Sequence, residues 1–277
     1  MSAHTTLRAA ALIALVASCL TMVSDAICPV SPRLRALPRL TLWAWERPED
    51  LRQIDPAATA VALLDRTVSI KADGAVEVRP RMQPVAYPAN ATRIAVVRIE
   101  MQADTMLIPC LKSETLRQAQ GSLWGTPICF GFRQAVLDSL LDSARQPGIA
   151  AFQVDFDATR RQREFYRELL LSLRREMPPG LPLSMTAFAS WCSWDDWIRG
   201  LPVDEAVPMF FSMEPDRRSA GASFGEYRLR ESLCLGSVGV STREPWPAGE
   251  MASKRIYLFS HRGWRRDLAL ADAWRLP

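Results

Sequence analysis

Acidic residues alternate with apolar ones in the segment Gln153-Val154-Asp155-Phe156-Asp157. Successive side chains of a β-strand point to opposite faces, so Gln153, Asp155 and Asp157 would share one face. Two carboxyl groups held close together repel each other's charge, and this repulsion raises the pKa of one of them. A carboxylic acid that stays protonated near neutral pH can act as a general acid, as glycoside hydrolysis requires. The segment therefore predicts a catalytic pair, in which Asp157 is the acid and Asp155 orients it and tunes its pKa.

Other polar and aromatic residues lie toward the ends of apolar runs, where further groups of the same site are expected. Glu100 is the first candidate for a second carboxylate, and Glu46 is the alternative. Tryptophan rings can stack on the apolar C–H faces of sugars. The candidate substrate-binding residues are Trp43, Trp45, Glu46, Asp65, Arg98, Gln153, Thr186, Met209, His261 and Trp264. Two other interpretations stay open: an interior ion-pair network, for example Arg98 with Asp155, and tryptophans packed under loops.

The scarcity of histidine excludes several classes of enzyme site. The chain has 2 histidines, His4 and His261, so it cannot build a His-rich zinc site or an HExxH protease. No GxSxG elbow, P-loop or Rossmann fingerprint is present. We expect no cofactor and no metal ion, since Asp155 and Asp157 alone are a weak signal for Mg²⁺ or Ca²⁺. The net charge of +4 comes from dispersed arginines, which argues against a nucleic-acid partner.

Short apolar runs alternate with longer amphipathic ones beyond residue 38, as in repeated strand and helix units. The predicted strands are Leu40–Trp45, Ala60–Arg66, Arg93–Glu100, Ile149–Asp157, Leu181–Phe188, Glu205–Phe211, Leu233–Val240 and Arg255–His261. The predicted helices are Phe132–Arg145, Thr159–Glu176, Trp191–Arg199 and Phe224–Glu231, and the predicted long loops are Lys71–Asn90 and Met101–Thr126.

This order predicts the α/β class and one (β/α)8 TIM-type barrel, glycoside-hydrolase-like, over residues 39–277. In such barrels the active site lies at the C-terminal ends of the strands, where most of the candidate residues fall. A doubly wound open sheet is the competing architecture. It would normally carry a glycine-rich turn after its first strand, and no such turn follows Leu40–Trp45.

The first 26 residues have the features of an export signal. The run Ala9–Val23 is small or apolar and follows Arg8. Ser24-Asp25-Ala26 offers a signal-peptidase site, whereas Val16-Ala17-Ser18-Cys19 resembles a lipobox, whose cysteine would carry a lipid. Residues 27–38 would then form a linker. We predict an exported protein that is periplasmic or lipid-anchored to the envelope, and an uncleaved apolar anchor is the alternative.

The other cysteines are Cys28, Cys110, Cys129, Cys192 and Cys234. Their spacing is irregular and contains no CxxC pair, which excludes a zinc ribbon. One or two disulfides can form after export. The nearest candidate pair is Cys110 with Cys129, and buried free thiols are the alternative.

The fourth predicted strand resembles the corresponding motif of chitinase-like (family 18) glycosidases, in which alternating acids end in the catalytic acid. On this resemblance Asp155 matches the supporting aspartate and Asp157 matches the acid. The chain departs from the family by the shorter Asp at the acid position and by Gln153 in place of an aspartate. Met209-Phe210-Phe211-Ser212 resembles the family's Met-x-Tyr-Asp, with Phe in place of Tyr and Ser in place of Asp. Those two polar groups steer a substrate acetamido group, so their loss argues against substrate-assisted chitinase chemistry.

A wider resemblance connects the mature chain to a bacterial family catalogued as domain of unknown function 3142. The matching blocks are Leu42–Leu51, Ala95–Glu100, Gln153–Ala158, Pro182–Ala187 and Leu201–Met209. The resemblance implies a barrel similar to that of glycosidases, and the family carries no established reaction. The sequence therefore predicts an exported carbohydrate-active protein, a glycoside hydrolase that acts on a saccharide or glycan. The alternative is a non-catalytic saccharide-binding or scaffolding envelope protein on a degenerate barrel.

Overall fold

The computed structural model describes residues 31–102, 128–211, 228–243 and 253–274, without the side chains of residues 128–131. The predicted export signal, with Cys19, lies outside the described residues. So do Cys28, Cys110, Ser212 and nearly all of the predicted loop Met101–Thr126, whose first residue ends a strand. The proposed pairing of Cys110 with Cys129 therefore stays a prediction.

Parallel strands close into a barrel. In chain order the described strands are β1 (Leu40–Ala44), β2 (Glu49–Asp50), β3 (Thr59–Ile70), β4 (Val76–Pro80), β5 (Val85–Ala86), β6 (Thr92–Met101), β7 (Ala151–Asp155), β8 (Leu183–Phe188), β9 (Glu205–Met209), β10 (Ser237–Ser241) and β11 (Arg255–Phe259). Eight of them, β1, β3 and β6–β11, pair in parallel in this order, and β1 pairs with both β3 and β11 to close the ring. Every predicted strand corresponds to one barrel strand, so the predicted (β/α) barrel is confirmed.

The described helices are α1 (Ile128–Ala144), α2 (Arg163–Glu176), α3 (Ala189–Ser193) and α4 (Trp264–Asp272), with 3-10 turns at Pro32–Leu34, Arg160–Gln162, Asp196–Ile198 and Ser232–Cys234. The predicted helix Trp191–Arg199 divides into α3 and a 3-10 turn. Residues 228–231, the described part of the predicted helix Phe224–Glu231, are not helical. Among the described helices, none combines the length and the apolar composition needed to cross a bilayer.

Helix α2 illustrates how the sequence builds the outer layer. A capping box between Thr159 and Gln162 opens the helical segment, and its buried residues include Phe165, Leu169 and Leu173, which recur at helical spacing. These side chains pack with the outward residues of β7, Phe152 and Val154, in the largest apolar cluster. The inward residues of β7 are left to face the barrel interior, as the period-2 alternation predicts.

The N-terminal end of the barrel is closed by residues 31–38, a segment that the sequence assigns to the linker. Leu34 and Leu37 are buried in the interior apolar cluster, beside Trp43 and Tyr257. The guanidinium of Arg255 donates hydrogen bonds to the carbonyls of Leu34, Leu37 and Pro38. Because this end is packed shut, an interior site can open only at the C-terminal ends of the strands.

Strand β3 extends beyond the barrel rim and turns back into β4, which pairs with it in the antiparallel direction. The sequence assigned Lys71–Asn90 to a long loop, and this assignment is wrong for β4 and for β5, which pairs with β2. The turn at Asp73-Gly74 explains the hairpin, since Gly74 has a φ of 84° that favours glycine. The hairpin raises one wall of the mouth above the other strands.

One disulfide, between Cys192 and Cys234, lies in the described part of the chain. It joins α3 to the 3-10 turn Ser232–Cys234, and the backbone N–H groups of Arg230 and Glu231 donate to the carbonyl of Cys192 at 2.8 and 3.1 Å. The covalent bond and the hydrogen bonds together fix the chain that leads into β10 against the connection after β8.

Candidate functional site

Asp155 is the last residue of β7, and its side chain is buried on the inner face of the barrel. The Thr186 hydroxyl donates a hydrogen bond to its carboxyl at 2.7 Å, and the Arg98 guanidinium lies 3.8 Å away. Burial raises the pKa of Asp155 and the charge of Asp157 raises it further, whereas Arg98 and Thr186 lower it. The resulting pKa is about 6, against an ordinary value of 3.8. This carboxyl can therefore change its protonation state within the physiological range.

Asp157 lies two residues beyond the end of β7 and is exposed. Partial loss of water around its carboxyl raises its pKa, and the positive charge of Arg98 opposes the shift. Asp155 is thus a sheltered carboxyl and Asp157 an accessible one. An exchangeable proton on Asp157 can reach a bound molecule, whereas the proton of Asp155 is held inside the barrel.

Arg98 connects the pair on β7 to Glu100. Its Nε lies 3.0 Å from Oε1 of Glu100, whose side chain is 47% exposed. Arg98 and Glu100 lie on the inner face of β6, and Glu100 also adds to the raised pKa of Asp155. Arg98, Glu100 and Asp155 therefore form one charged cluster at the mouth, which contains the ion pair of Arg98 with Asp155. The catalytic role of its carboxylates stays a prediction.

A cleft of about 370 Å³ opens beside this cluster. It is lined by Trp45, Glu46, Leu64, Thr67, Arg79, Arg98 and Glu100. Glu46 lies 3.9 Å from Arg79 across the cleft and accepts a hydrogen bond from the backbone N–H of Met82 at 3.3 Å. The sequence analysis missed Arg79, because it lies on β4 in the segment assigned to a loop. The alternation of Val76, Val78 and Pro80 with Glu77 and Arg79 could have indicated a strand there.

Trp43 and Gln153 lie in the barrel interior below the mouth and not on the cleft surface. Trp43 Nε1 donates to Gln153 Oε1 at 2.8 Å, and Gln153 Nε2 donates to the Ser184 hydroxyl at 3.0 Å. Both Trp43 and Gln153 are buried. Each supplies a hydrogen-bond partner to the other in the core, so the prediction that they contact substrate is not supported.

Trp45 lines the cleft, but other side chains cover its ring. The Trp43 ring stacks on it with centroids 4.9 Å apart, and the Arg98 guanidinium carbon lies 4.8 Å from its centroid. Trp45 therefore presents its edge to the cleft, and its packing holds Arg98 in place through a cation–π contact.

The prediction that Asp65 belongs to the site is wrong. A β-bulge between Leu64 and Arg66 inserts one residue into β3 and reverses the alternation, so Asp65 and Thr67 leave the strand on different faces. Asp65 faces α1, where it accepts hydrogen bonds from Ser143 at 2.5 Å and from Gln146 at 2.8 Å. Its pKa is lowered by these bonds and by Arg66, against the effect of burial.

Replacing Asp65 by Ala is expected to lower the free energy of unfolding by about 1–2 kcal/mol, because three hydrogen-bond donors, Ser143, Gln146 and Arg66, lose their acceptor. Binding of a ligand at the mouth should not change, since the side chain lies on the outer face. Urea denaturation and a binding titration of the variant check the two expectations. If the variant lost ligand binding but kept its stability, Asp65 would belong to the site after all.

Three other predicted contacts with substrate have different roles or places. Trp264 is fully buried as the first residue of α4, and its Nε1 donates to the carbonyl of Trp43 at 2.8 Å, so it packs under the loops. Met209 is partly buried with the interior cluster. His261 is exposed beyond β11, and its backbone N–H donates to the Thr242 hydroxyl at 3.0 Å.

The opposite side of the mouth is aromatic, which the sequence analysis missed. Phe259 ends β11, with its ring centroid 4.8 Å from that of Trp43, and Phe211 lies beyond β9 at 4.6 Å from Phe259. Parity could have placed Phe259 inward together with Tyr257. The mouth thus combines carboxylates on β6 and β7 with rings near β1, β9 and β11. In the described part of the chain, no group of three His, Cys, Asp or Glu residues is arranged to hold a metal ion.

No protein-family model and no curated protein sequence matches the chain. Membership of the family called domain of unknown function 3142 therefore stays a prediction. Two solved structures are similar, the spore cortex-lytic enzyme SleL of Bacillus cereus and the chitinase domain of the spore coat protein CotE of Clostridium difficile.

The chain is 13% identical to each of these structures, with a TM-score of 0.37 in both cases. The match to SleL covers 73% of this chain and 51% of that one, and the match to the CotE domain covers 80% and 64%. The chain therefore spans less than two thirds of the length of either structure. A likeness at this level does not assign the activity of either protein to this chain.

Proposed function

We propose that this chain is an exported glycoside hydrolase whose general acid is Asp157. The observation that carries the proposal is the pair of carboxyls at the end of β7, where Asp155 is buried against Thr186 and Arg98, Asp157 is exposed at the mouth, and loss of water raises the pKa of both. Glycosidase catalysis requires two carboxyl groups with different protonation states at one site. The aromatic side of the mouth favours a ligand with apolar faces, as a sugar ring has.

In this mechanism Asp157 donates its proton to the glycosidic oxygen as the bond from that oxygen to the anomeric carbon breaks. Partial loss of water raises the pKa of Asp157 and favours its protonated form, and the charge of Asp157 in turn raises the pKa of Asp155. Glu100 supplies the second carboxylate, which stabilises the positive charge that develops on the sugar ring. A water molecule then forms the new bond to the anomeric carbon and gives up a proton, which restores the acid form of Asp157. Arg98 holds the Glu100 carboxylate in one orientation through the contact at 3.0 Å.

A saccharide-binding protein without turnover is the second candidate. The same ion pair favours it, because a carboxylate held by Arg98 is a weaker base or nucleophile than a free one. The shorter Asp at the acid position points in the same direction. The two candidates share the ligand and differ in whether a bond is broken.

A turnover screen separates them. The protein is purified from the organism that makes it, so that it carries its natural processing. It is then incubated with a panel of aryl glycosides and cell-envelope polysaccharides. Released aryl alcohol and new reducing ends report turnover, and calorimetric titration of the same panel reports binding. Turnover of any member supports the hydrolase, and binding without turnover supports the second candidate. If the protein neither cleaved nor bound any member, both candidates would be eliminated.

The disulfide between Cys192 and Cys234 supports the proposal of export, because such bonds persist in oxidising compartments. Intact mass spectrometry of the protein from the cell envelope distinguishes the two processing routes. Cleavage after Ala26 leaves Ile27 as the first residue, whereas lipidation leaves an acylated Cys19. A mass equal to that of the whole chain would contradict both routes.

A further inference from the structure

A chain of hydrogen bonds crosses the barrel interior below the mouth. Its upper end is the bond from Trp43 to Gln153, whose amide donates to the Ser184 hydroxyl. Ser184 also bonds to the Tyr257 hydroxyl, and Tyr257 donates to Oε1 of Glu205 at 2.5 Å. All of these side chains are buried, so the interior itself must supply their hydrogen-bond partners.

Glu205, at the lower end of this chain, has fewer partners than a buried carboxylate needs. The two oxygens of a carboxylate offer about four sites to hydrogen-bond donors, and burying the charge is costly unless such donors are present. Tyr257 fills one site, and the Arg255 guanidinium approaches the other oxygen, with its Nε 3.7 Å from Oε2. This separation exceeds that of a direct hydrogen bond, and water commonly bridges polar atoms at such distances.

The Arg255 guanidinium cannot move closer to Glu205 without breaking other bonds. Its two terminal nitrogens donate to carbonyls of the segment 34–38, which closes the lower end of the barrel. The Nε of Arg255 has no hydrogen-bond partner in the described part of the chain, although the residue is only 7% exposed. A buried donor without an acceptor is costly, so we expect an acceptor at this place.

Two hydroxyls on neighbouring strands, those of Thr41 and Ser237, are also buried and lack a partner among the described residues. In the parallel register Thr41 is level with Tyr257, and Ser237 is level with Arg255. Each hydroxyl therefore lies about one strand spacing from a residue that reaches Glu205, on the same face of the sheet. Tyr257 belongs to the interior cluster, so this face is the inner one.

Small side chains leave room at this level of the barrel. Ala60 is level with Thr41 on β3 and belongs to the interior cluster, and Ser237 lies on the same face. Barrel interiors usually hold bulky branched side chains at such positions. A buried water molecule needs two to four polar partners and a space of about its own size, and this part of the interior offers both.

We propose that an ordered water molecule lies between Arg255 and Glu205 in the barrel interior. It accepts a hydrogen bond from Arg255 Nε and donates one to Oε2 of Glu205, and the hydroxyls of Thr41 and Ser237 are its other partners. The water completes the lower end of the hydrogen-bond chain that holds Trp43 below the mouth. This inference is independent of the proposed function, because it concerns the barrel interior and not a substrate.

Thr41→Val tests the water site by the sign of its effect on thermal stability. Valine keeps the shape of threonine and removes the hydroxyl. If the hydroxyl binds the water, the variant should lower the melting temperature by about 2–4 °C, the shift that corresponds to one hydrogen bond in a chain of this size. A hydroxyl buried without any partner would give the opposite sign, because burying a methyl group in its place is favourable.

Thr59→Val is the matched control. Thr59 is also buried with a hydroxyl that lacks a partner in the described ranges, but it shares the parity of Val61, which packs in the cluster outside the barrel. This variant should not lower the melting temperature. A high-resolution crystal structure of the wild type should show density within hydrogen-bond distance of Arg255 Nε and Glu205 Oε2. The absence of that density, a Thr41→Val melting temperature equal to or above that of the wild type, or an equal loss in both variants would overturn the water site.

Discussion

Replacing Asp157 by Asn is expected to lower kcat/KM by about 10²- to 10⁴-fold, the usual contribution of a general acid. The amide has nearly the same shape as the carboxyl but cannot donate a proton to a leaving oxygen at neutral pH. Affinity for the substrate should change little, because the loss falls on the transition state. Steady-state kinetics on a substrate found in the turnover screen, together with a binding titration, measures both quantities.

Two further variants make the result specific to the acid. Asp142→Asn removes a carboxyl that is 71% exposed on α1, outside the barrel, and should leave kcat/KM unchanged. Asp157→Glu keeps a carboxyl and should retain far more activity than Asp157→Asn. If the Asn variant kept wild-type kcat/KM, Asp157 would not be the acid, and Asp155 would become the candidate.

Asp155 should contribute a measurable part of the pH dependence of the protein's stability. The pKa of Asp155 is about 6 in the folded state, against an ordinary value of 3.8. Between these two values the folded state holds the proton and the unfolded state has released it, so the contribution of Asp155 to stability falls as pH rises. Its contribution should be about 3 kcal/mol lower at pH 7.5 than at pH 3.5.

The measurement is the difference between the wild type and Asp155→Asn in the free energy of unfolding, taken by urea denaturation at several pH values. The amide oxygen can still accept the hydrogen bond from Thr186, and the variant carries no charge at this position. Asp65, Asp204 and Asp267 have lowered pKa values and give the opposite slope, but they are the same in both proteins. Parallel curves for the two proteins over pH 4 to 7 would show that Asp155 does not titrate as stated.

Local periodicity was enough to predict the barrel and the carboxylates at its mouth. Alternation along Gln153–Asp157 depends only on neighbouring residues, and so does the helical spacing of Phe165, Leu169 and Leu173. Repeated in order, these local periods predict alternating strands and helices, and the absence of a glycine-rich turn after the first strand favours the barrel over an open sheet. Arg98, Glu100, Asp155 and Asp157 were therefore assigned to one mouth before any contact was known.

The tertiary structure alone decided which candidates reach that mouth. A one-residue bulge in β3 places Asp65 on the outer face of the barrel, although its neighbours in sequence predict the inner face. Trp264 lies in the core, where its indole N–H donates a hydrogen bond to the carbonyl of Trp43, 221 positions away in sequence. Cys192 pairs with Cys234 across 42 positions of sequence. Each of these outcomes depends on the register between strands and on contacts between distant segments, and neither is encoded in the spacing of residues along the chain.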